Sequence, residues 1–173
     1  LSACYDKPYI MHGSIGPSAA MAYAEIGGRI SIWTHSQGIQ VLRSSIAEAL
    51  NMSANDVYIK HVPGAGCYGH NGADDAAFDA ALISLCNRGR PIMLKWSREQ
   101  EHAWEPYASA MSMDLCGSLD SNGMVIDWSH ETYSDTHLGR PRSKANGGGP
   151  SRFLTAAYRE PPAPAFQPSP SMA

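Results

Sequence analysis

Four glycines fall in nine positions, Gly64, Gly66, Gly69 and Gly72, within the stretch Pro63-Gly64-Ala65-Gly66-Cys67-Tyr68-Gly69-His70-Asn71-Gly72. Such a stretch cannot be a helix or a central strand. It suits a loop whose backbone N–H groups approach the oxygens of an anionic or oxo ligand, since glycine has no Cβ and accepts positive φ. No Gly-Lys-Ser/Thr follows, so this is not a triphosphate-binding loop. Gly64 to Gly69 does fit G-x-G-x-x-G, a weak signal alone. The acidic residue required about 20 positions on, after a second parallel strand, would fall in a helical pattern here. Asp74 and Asp75, next after the loop, would also repel a bare pyrophosphate. The plain alternative is a tight connector.

A second polar cluster is His35-Ser36-Gln37-Gly38. Gln37 either caps the following helix or turns its amide into a cleft; the plain alternative is a polar turn. The seven histidines show neither His-x-x-x-His nor His-Glu-x-x-His spacing, so no protein-ligated metal is indicated. Cys4, Cys67, Cys86 and Cys116 contain no Cys-x-x-Cys, which argues against a zinc ribbon, an iron–sulfur ligand set and a disulfide scaffold. Cys67 is a candidate thiol with no evident base beside it. Glu99 to Glu105 reads as a solvated acidic-aromatic face.

The elements that hold these clusters follow from periodicity. Ser18 to Ile26 and Arg29 to Thr34 read as strands joined at Gly27-Gly28. Ile39, Leu42, Ile46, Ala49 and Leu50 recur at three and four, one face of a helix stopped at Asn51. Val57 to Val62 is a strand. Ala73 to Arg88 is a helix with a buried stripe of Phe78, Ala81, Leu82 and Leu85, and with Asp74 and Asp75 in its first turn, where the dipole favours them. Pro91 to Trp96 is a strand and Arg98 to Trp104 a short helix. Ala110 to Leu119 and Met124 to Tyr133 form a hairpin turning at Asp120-Ser121-Asn122-Gly123. The predicted class is α+β, a mixed sheet with helices packed on it.

The 173 residues suit about one domain and, at 43% hydrophobic and 17% charged, can bury a core. Residues 1–138 hold 8 Lys+Arg against 15 Asp+Glu, whereas residues 139–173 hold 5 against 1. An acidic body is a poor phosphate-backbone binder, so no nucleic acid partner is expected. No transmembrane segment is expected, because no apolar run approaches the roughly 18 residues needed. The missing initiator Met suggests a piece of something longer. Residues 1–138 are taken as one domain and residues 139–173 as a Gly/Pro-rich connecting tail, whose five prolines after residue 160 predict an extended linker.

From His12 to about Tyr133 the chain resembles the molybdopterin-binding large subunit of the xanthine dehydrogenase and aldehyde oxidase family. Within it, the likeness is to isoquinoline 1-oxidoreductase beta subunits, with nicotinate dehydrogenase large subunits nearby. The likeness rests on His12-Gly13-Ser14-Ile15-Gly16-Pro17, Thr34-His35-Ser36-Gln37-Gly38 and the stretch Gly64 to Asp75, in that order. Arg90-Pro91, Glu99 to Met111 and Arg140-Pro141 add to it. The xanthine-oxidising branch carries Phe where Tyr68 stands and a substrate-orienting Glu where Gly72 stands, which argues against a purine substrate.

The resemblance implies part of a molybdenum cofactor-binding domain. It makes Gln37, Gly66, Tyr68 and Gly69 cofactor-binding residues: Gln37 through its amide, Tyr68-Gly69 through backbone N–H groups, none of them a direct metal ligand. It implies hydroxylation of an N-heteroaromatic or aldehyde substrate with water as oxygen donor. It also implies molybdopterin in its cytosine dinucleotide form, iron–sulfur clusters on a separate small subunit, and the remainder of the large subunit as partners. The catalytic base, a glutamate, is expected outside this chain, so the fragment alone should be inactive. The alternative is a non-catalytic orphan fragment or partner-binding module. The compartment stays open between cytoplasm and periplasm.

Overall fold

Alternation of alanine with larger residues sets the architecture around β2 (Ala19–Ala24). Ala20, Ala22 and Ala24 face one side and are buried, and small side chains there let a helix approach closely. The computed structural model describes residues 1–135, Arg140, Pro141, Phe153 and Thr155. The chain forms two compact units: residues 1–11 with 107–138, and residues 12–106 with 139–173.

The first unit is an antiparallel sheet in the order β1-β6-β7, built from β1 (Ser2–Lys7), β6 (Met111–Leu119) and β7 (Val125–Ser134). The hairpin between β6 and β7 turns at Asp120, whose Oδ1 accepts from the backbone N–H groups of Asn122 and Met124 at 2.8 and 2.9 Å. β1 was not anticipated. Its sequence, SACYDK, has no alternation and little burial, and it exists through its pairing with β6, more than a hundred positions away.

The second unit is a mixed four-stranded sheet ordered β4-β3-β2-β5, adding β3 (Ile30–Thr34), β4 (Val57–His61) and β5 (Pro91–Lys95). β2 pairs antiparallel with β3 and β5, whereas β3 and β4 run parallel. The parallel pair needs a crossover, supplied by α1 (Ile39–Ala49), which packs on β4. α2 (Ala73–Cys86) lies against β2, β3 and β5.

Ile30, Ile32, Val57 and Ile59 of the sheet meet Leu42, Ile46, Phe78 and the α2 alanines in one core. Phe153 is buried there too, its ring stacked on Phe78 with centroids 4.2 Å apart. α1 ends as expected: Asn51 takes φ +55°, the left-handed stop that asparagine tolerates. α3 (Arg98–Trp104) opens with a capping box between Ser97 and Gln100. This confirms the α+β class. The proline-rich stretch after residue 160 lies outside the described residues. Among the described residues no helix is long and apolar enough to cross a membrane.

Candidate functional site

Because β3 and β4 are parallel neighbours, their carboxyl ends open at one edge, where ligands of such sheets commonly sit. Thr34 pairs with His61, and the Val62 N–H donates to the Thr34 carbonyl at 2.9 Å. The His35–Gly38 turn and the glycine loop therefore emerge side by side. Between them lies a cavity of about 260 Å³ whose walls include His35, Gln37, His61, Gly64, Gly66 and Cys67. It brings together two of the four expected cofactor-binding residues, Gln37 and Gly66. Tyr68 and Gly69 are not among its walls, and Tyr68 is 61% exposed.

The loop is stapled from within. The Asn71 Nδ2 donates to the Gly66 carbonyl at 3.0 Å while its Oδ1 accepts from the Ala73 N–H at 3.2 Å, the first N–H of α2. The Cys67 thiol donates to the Gly69 carbonyl at 3.0 Å. Tyr68 and Gly69 both take positive φ, +55° and +143°. A Cβ at Gly69 would lie 2.1 Å from the His12 ring, so only glycine fits. At Gly72 a Cβ would lie 2.2 Å from the Trp96 ring. This position is closed to the glutamate of the xanthine-oxidising branch unless Trp96 moves.

Three buried carboxylates tie the site to the sheet. Glu101, fully buried on α3, accepts from the Ser18 N–H at 2.6 Å, the Ser18 hydroxyl at 3.0 Å and the Gly72 N–H at 3.2 Å. One turn on, Glu105 accepts from the His12 and Gly13 N–H groups at 2.6 and 3.1 Å. The solvated-face reading of Glu99–Glu105 is therefore wrong for these two residues. Backbone donors that are remote in sequence draw them inward.

Asp74 is the third. It accepts the Ser36 hydroxyl at 2.5 Å, and His70 Nε2 sits 3.4 Å away, at ion-pair distance but outside hydrogen-bond geometry. Burial pushes its carboxyl pKa up, but His70, Ser36 and the Arg140 charge together hold it below the ordinary carboxylate value. It is thus an anchor as well as a helix-dipole partner.

Two histidines face the cavity with defined roles. His35 Nε2 accepts the Ala19 N–H at 3.3 Å, which fixes an unprotonated Nε2. Burial lowers the His35 pKa, against the opposing pull of Glu101 and Asp74. His61 Nδ1 lies 3.0 Å from the Ser36 carbonyl and so donates to it. Among the described residues, no three His, Cys, Asp or Glu side chains are grouped to hold a metal ion. All four cysteines are unpaired thiols.

In the sequence Arg140 stands out only as part of an Arg-Pro pair. Its Nη2 donates to Gln37 Oε1 at 3.2 Å and to the Gly69 carbonyl at 3.1 Å, and lies 3.6 Å from the Cys67 sulfur. Its Nη1 lies 3.5 Å from Asp74 Oδ2. One guanidinium therefore holds Gln37 to Gly69. The only signal in the sequence was a basic residue beyond a body with excess acid.

The chain matches the molybdopterin cofactor-binding domain family over residues 1–161. It is 39% identical over 132 residues to a nicotinate dehydrogenase subunit of Pseudomonas putida, covering 76% of this chain and 11% of that protein. It is 27% identical over 136 residues to the aldehyde oxidoreductase molybdenum-binding subunit PaoC of Escherichia coli, covering 78% of this chain and 18% of that one. The chain thus spans less than a fifth of these curated relatives. Among solved structures, the aldehyde oxidoreductase of Desulfovibrio gigas superposes with a TM-score of 0.66 at 19% identity, covering 78% of this chain and 15% of that one. Quinoline 2-oxidoreductase from Pseudomonas putida 86 gives 0.64 at 15% identity, covering 76% and 17%.

Proposed function

The chain belongs to the molybdopterin cofactor-binding domain family, and from that premise we propose that it supplies one wall of the active site of a molybdenum hydroxylase. The substrate is an N-heteroaromatic compound or an aldehyde. The relatives named for nicotinate and for aldehyde oxidation support that range. When bound, the molybdenum cofactor supplies hydroxylation of an electron-poor carbon with oxygen taken from water.

The residues at the cavity fit such a group by the chemistry of their donors. Gln37 contributes amide N–H donors, since its Oε1 is already engaged by Arg140. Gly66 at the cavity and Tyr68 and Gly69 beside it, joined to Gln37 through Arg140, contribute backbone with positive φ from which N–H groups can turn toward an anion. The Arg140 charge offsets the acidic body near an anionic cofactor. The observation that carries this reading is the joining of Gln37 to Gly69 through one guanidinium nitrogen, at the carboxyl ends of two parallel strands.

The cofactor is the cytosine dinucleotide form of molybdopterin. The base is a glutamate on the remainder of the large subunit, which packs against this chain. Electrons leave through iron–sulfur clusters on a separate small subunit. Residues 1–138 are a partial cofactor-binding domain and residues 139–173 a connecting tail that lends Arg140 to the site.

The test is to purify the native complex containing this chain and measure its metals, its nucleotide released by acid, and oxidation of N-heteroaromatics and aldehydes in ¹⁸O-water. Near-stoichiometric molybdenum, cytidine monophosphate and ¹⁸O in the product are expected. A complex without molybdenum contradicts the proposal.

A further inference from the structure

An amide side chain has two chemically opposite ends, and which end faces a ligand decides whether it donates or accepts. Gln37 is exposed, and its own turn does nothing to choose between them. Its only hydrogen bond among the described residues is from Arg140 Nη2 to Oε1 at 3.2 Å. A guanidinium has no acceptor, so only the carbonyl end of the amide can face it. The two Nε2 hydrogens are thereby left as the free donors of a residue that lines the cavity.

Arg140 is itself held. Nη1 pairs with Asp74, whose carboxylate is only 4% exposed and is also fixed by Ser36, the residue next to Gln37. Nη2 also donates to the Gly69 carbonyl, at a loop position whose φ of +143° glycine alone adopts readily. A planar fork bridging a buried carboxylate, an amide oxygen and a loop carbonyl fixes distances that a point charge cannot.

Building on the proposed reading of Gln37 and Gly69, we infer that Arg140 is a positioning residue for the cofactor site. It orients the Gln37 amide with Nε2 as donor and clamps the Tyr68-Gly69 turn to it. Arg140 touches no reacting atom; it acts through Gln37 and the loop.

The experiment uses the assembled, cofactor-loaded complex with Arg140→Met, Gln37→Ala, and the two combined. Arg140→Met should lower kcat roughly tenfold, as expected for a lost charged hydrogen bond, with KM changed less than about twofold. On Gln37→Ala, which itself lowers kcat, the second change should add clearly less than tenfold, because only the part Arg140 exerts through the Gly69 carbonyl is left to lose. Hydrogen exchange at residues 66–70 should quicken in Arg140→Met, a readout independent of turnover.

Where Arg140→Met fails to assemble, Arg140→Lys carries the test. It keeps the charge near Asp74 but cannot hold Gln37 and Gly69 together, so it should keep the melting temperature and still lose kcat. Full multiplication of the Met and Ala effects, or wild-type kcat and exchange in both Arg140 variants, overturns the inference alone. Wild-type turnover in Gln37→Ala overturns the reading on which it rests.

Discussion

Ser36 donates its hydroxyl to the Asp74 carboxylate at 2.5 Å across 38 positions of sequence, fastening the turn after β3 to the first turn of α2. Asp74 is buried, and its partners hold its pKa below the ordinary 3.8. Its contribution to stability is complete above about pH 3.8 and is lost as pH falls through the lower folded value. His35 is also depressed, from 6.5, by burial. It binds its proton more readily unfolded, so its contribution is complete above about pH 6.5 and declines below it. Melting temperatures of the complex should therefore fall in two stages between pH 7 and pH 3. His35→Gln should remove the first stage, and Ser36→Ala should shrink the second, because it removes one of the bonds that hold the Asp74 pKa down. A flat profile down to pH 4 in the native sequence contradicts the His35 assignment.

Glu101→Gln should destabilise by about 3 kcal/mol, since an amide turns a donor toward the backbone N–H groups that the carboxylate now receives. A denaturant series at constant m-value checks this. A midpoint shift worth less than about 0.5 kcal/mol would mean that Glu101 is hydrated rather than buried.

Small alanines set the spacing between β2 and α2. Ala22 is fully buried there, so Ala22→Leu should cost about 1–3 kcal/mol through overpacking. Ala22→Gly should cost less at this close approach, and the order of the two melting temperatures decides the point.

Gly69→Val should abolish molybdenum retention by the complex, because its Cβ would meet His12 and its φ of +143° excludes branched residues. Gly123→Ala makes the control. Gly123 also has positive φ, +82°, but its Cβ would meet nothing, so only about 1 kcal/mol of strain is expected, with molybdenum content intact. Unchanged molybdenum in Gly69→Val contradicts the loop's role.

The helical face of α1 was legible because its apolar residues recur at three and four. α2 was legible as a helix, but its first turns are buried on every side and Leu82 and Leu85 of the expected stripe are only partly buried, because the sheet and the loop cover it from several directions. The hairpin at Asp120–Gly123 was legible from its turn chemistry. β1 was not, since its partner lies a hundred positions away and its own residues do not alternate. Gln37 and the glycine loop stood out as polar and glycine-rich interruptions, and the resemblance gave them a common purpose. Glu101, Glu105 and Arg140 stayed hidden for one reason. Each is a charged residue whose burial or pairing depends on donors and acceptors from distant segments, and local pattern carries no trace of these.

Expressed alone in a host that makes the cofactor, residues 1–173 should retain no molybdenum. One amide and one loop supply only a few hydrogen bonds of roughly 1 kcal/mol each, too little to hold an extended anionic cofactor. Near-stoichiometric metal or steady turnover in the isolated chain would show that it carries a complete site.

The central claim is that Gln37 and the Tyr68-Gly69 turn face one molybdenum cofactor, and the most direct measurement is a structure of the loaded complex. The account predicts Gln37 Nε2 within about 3.2 Å of a cofactor oxygen, with Arg140 still on Oε1. A cofactor more than about 10 Å from Gln37, well beyond hydrogen-bond reach, would contradict it.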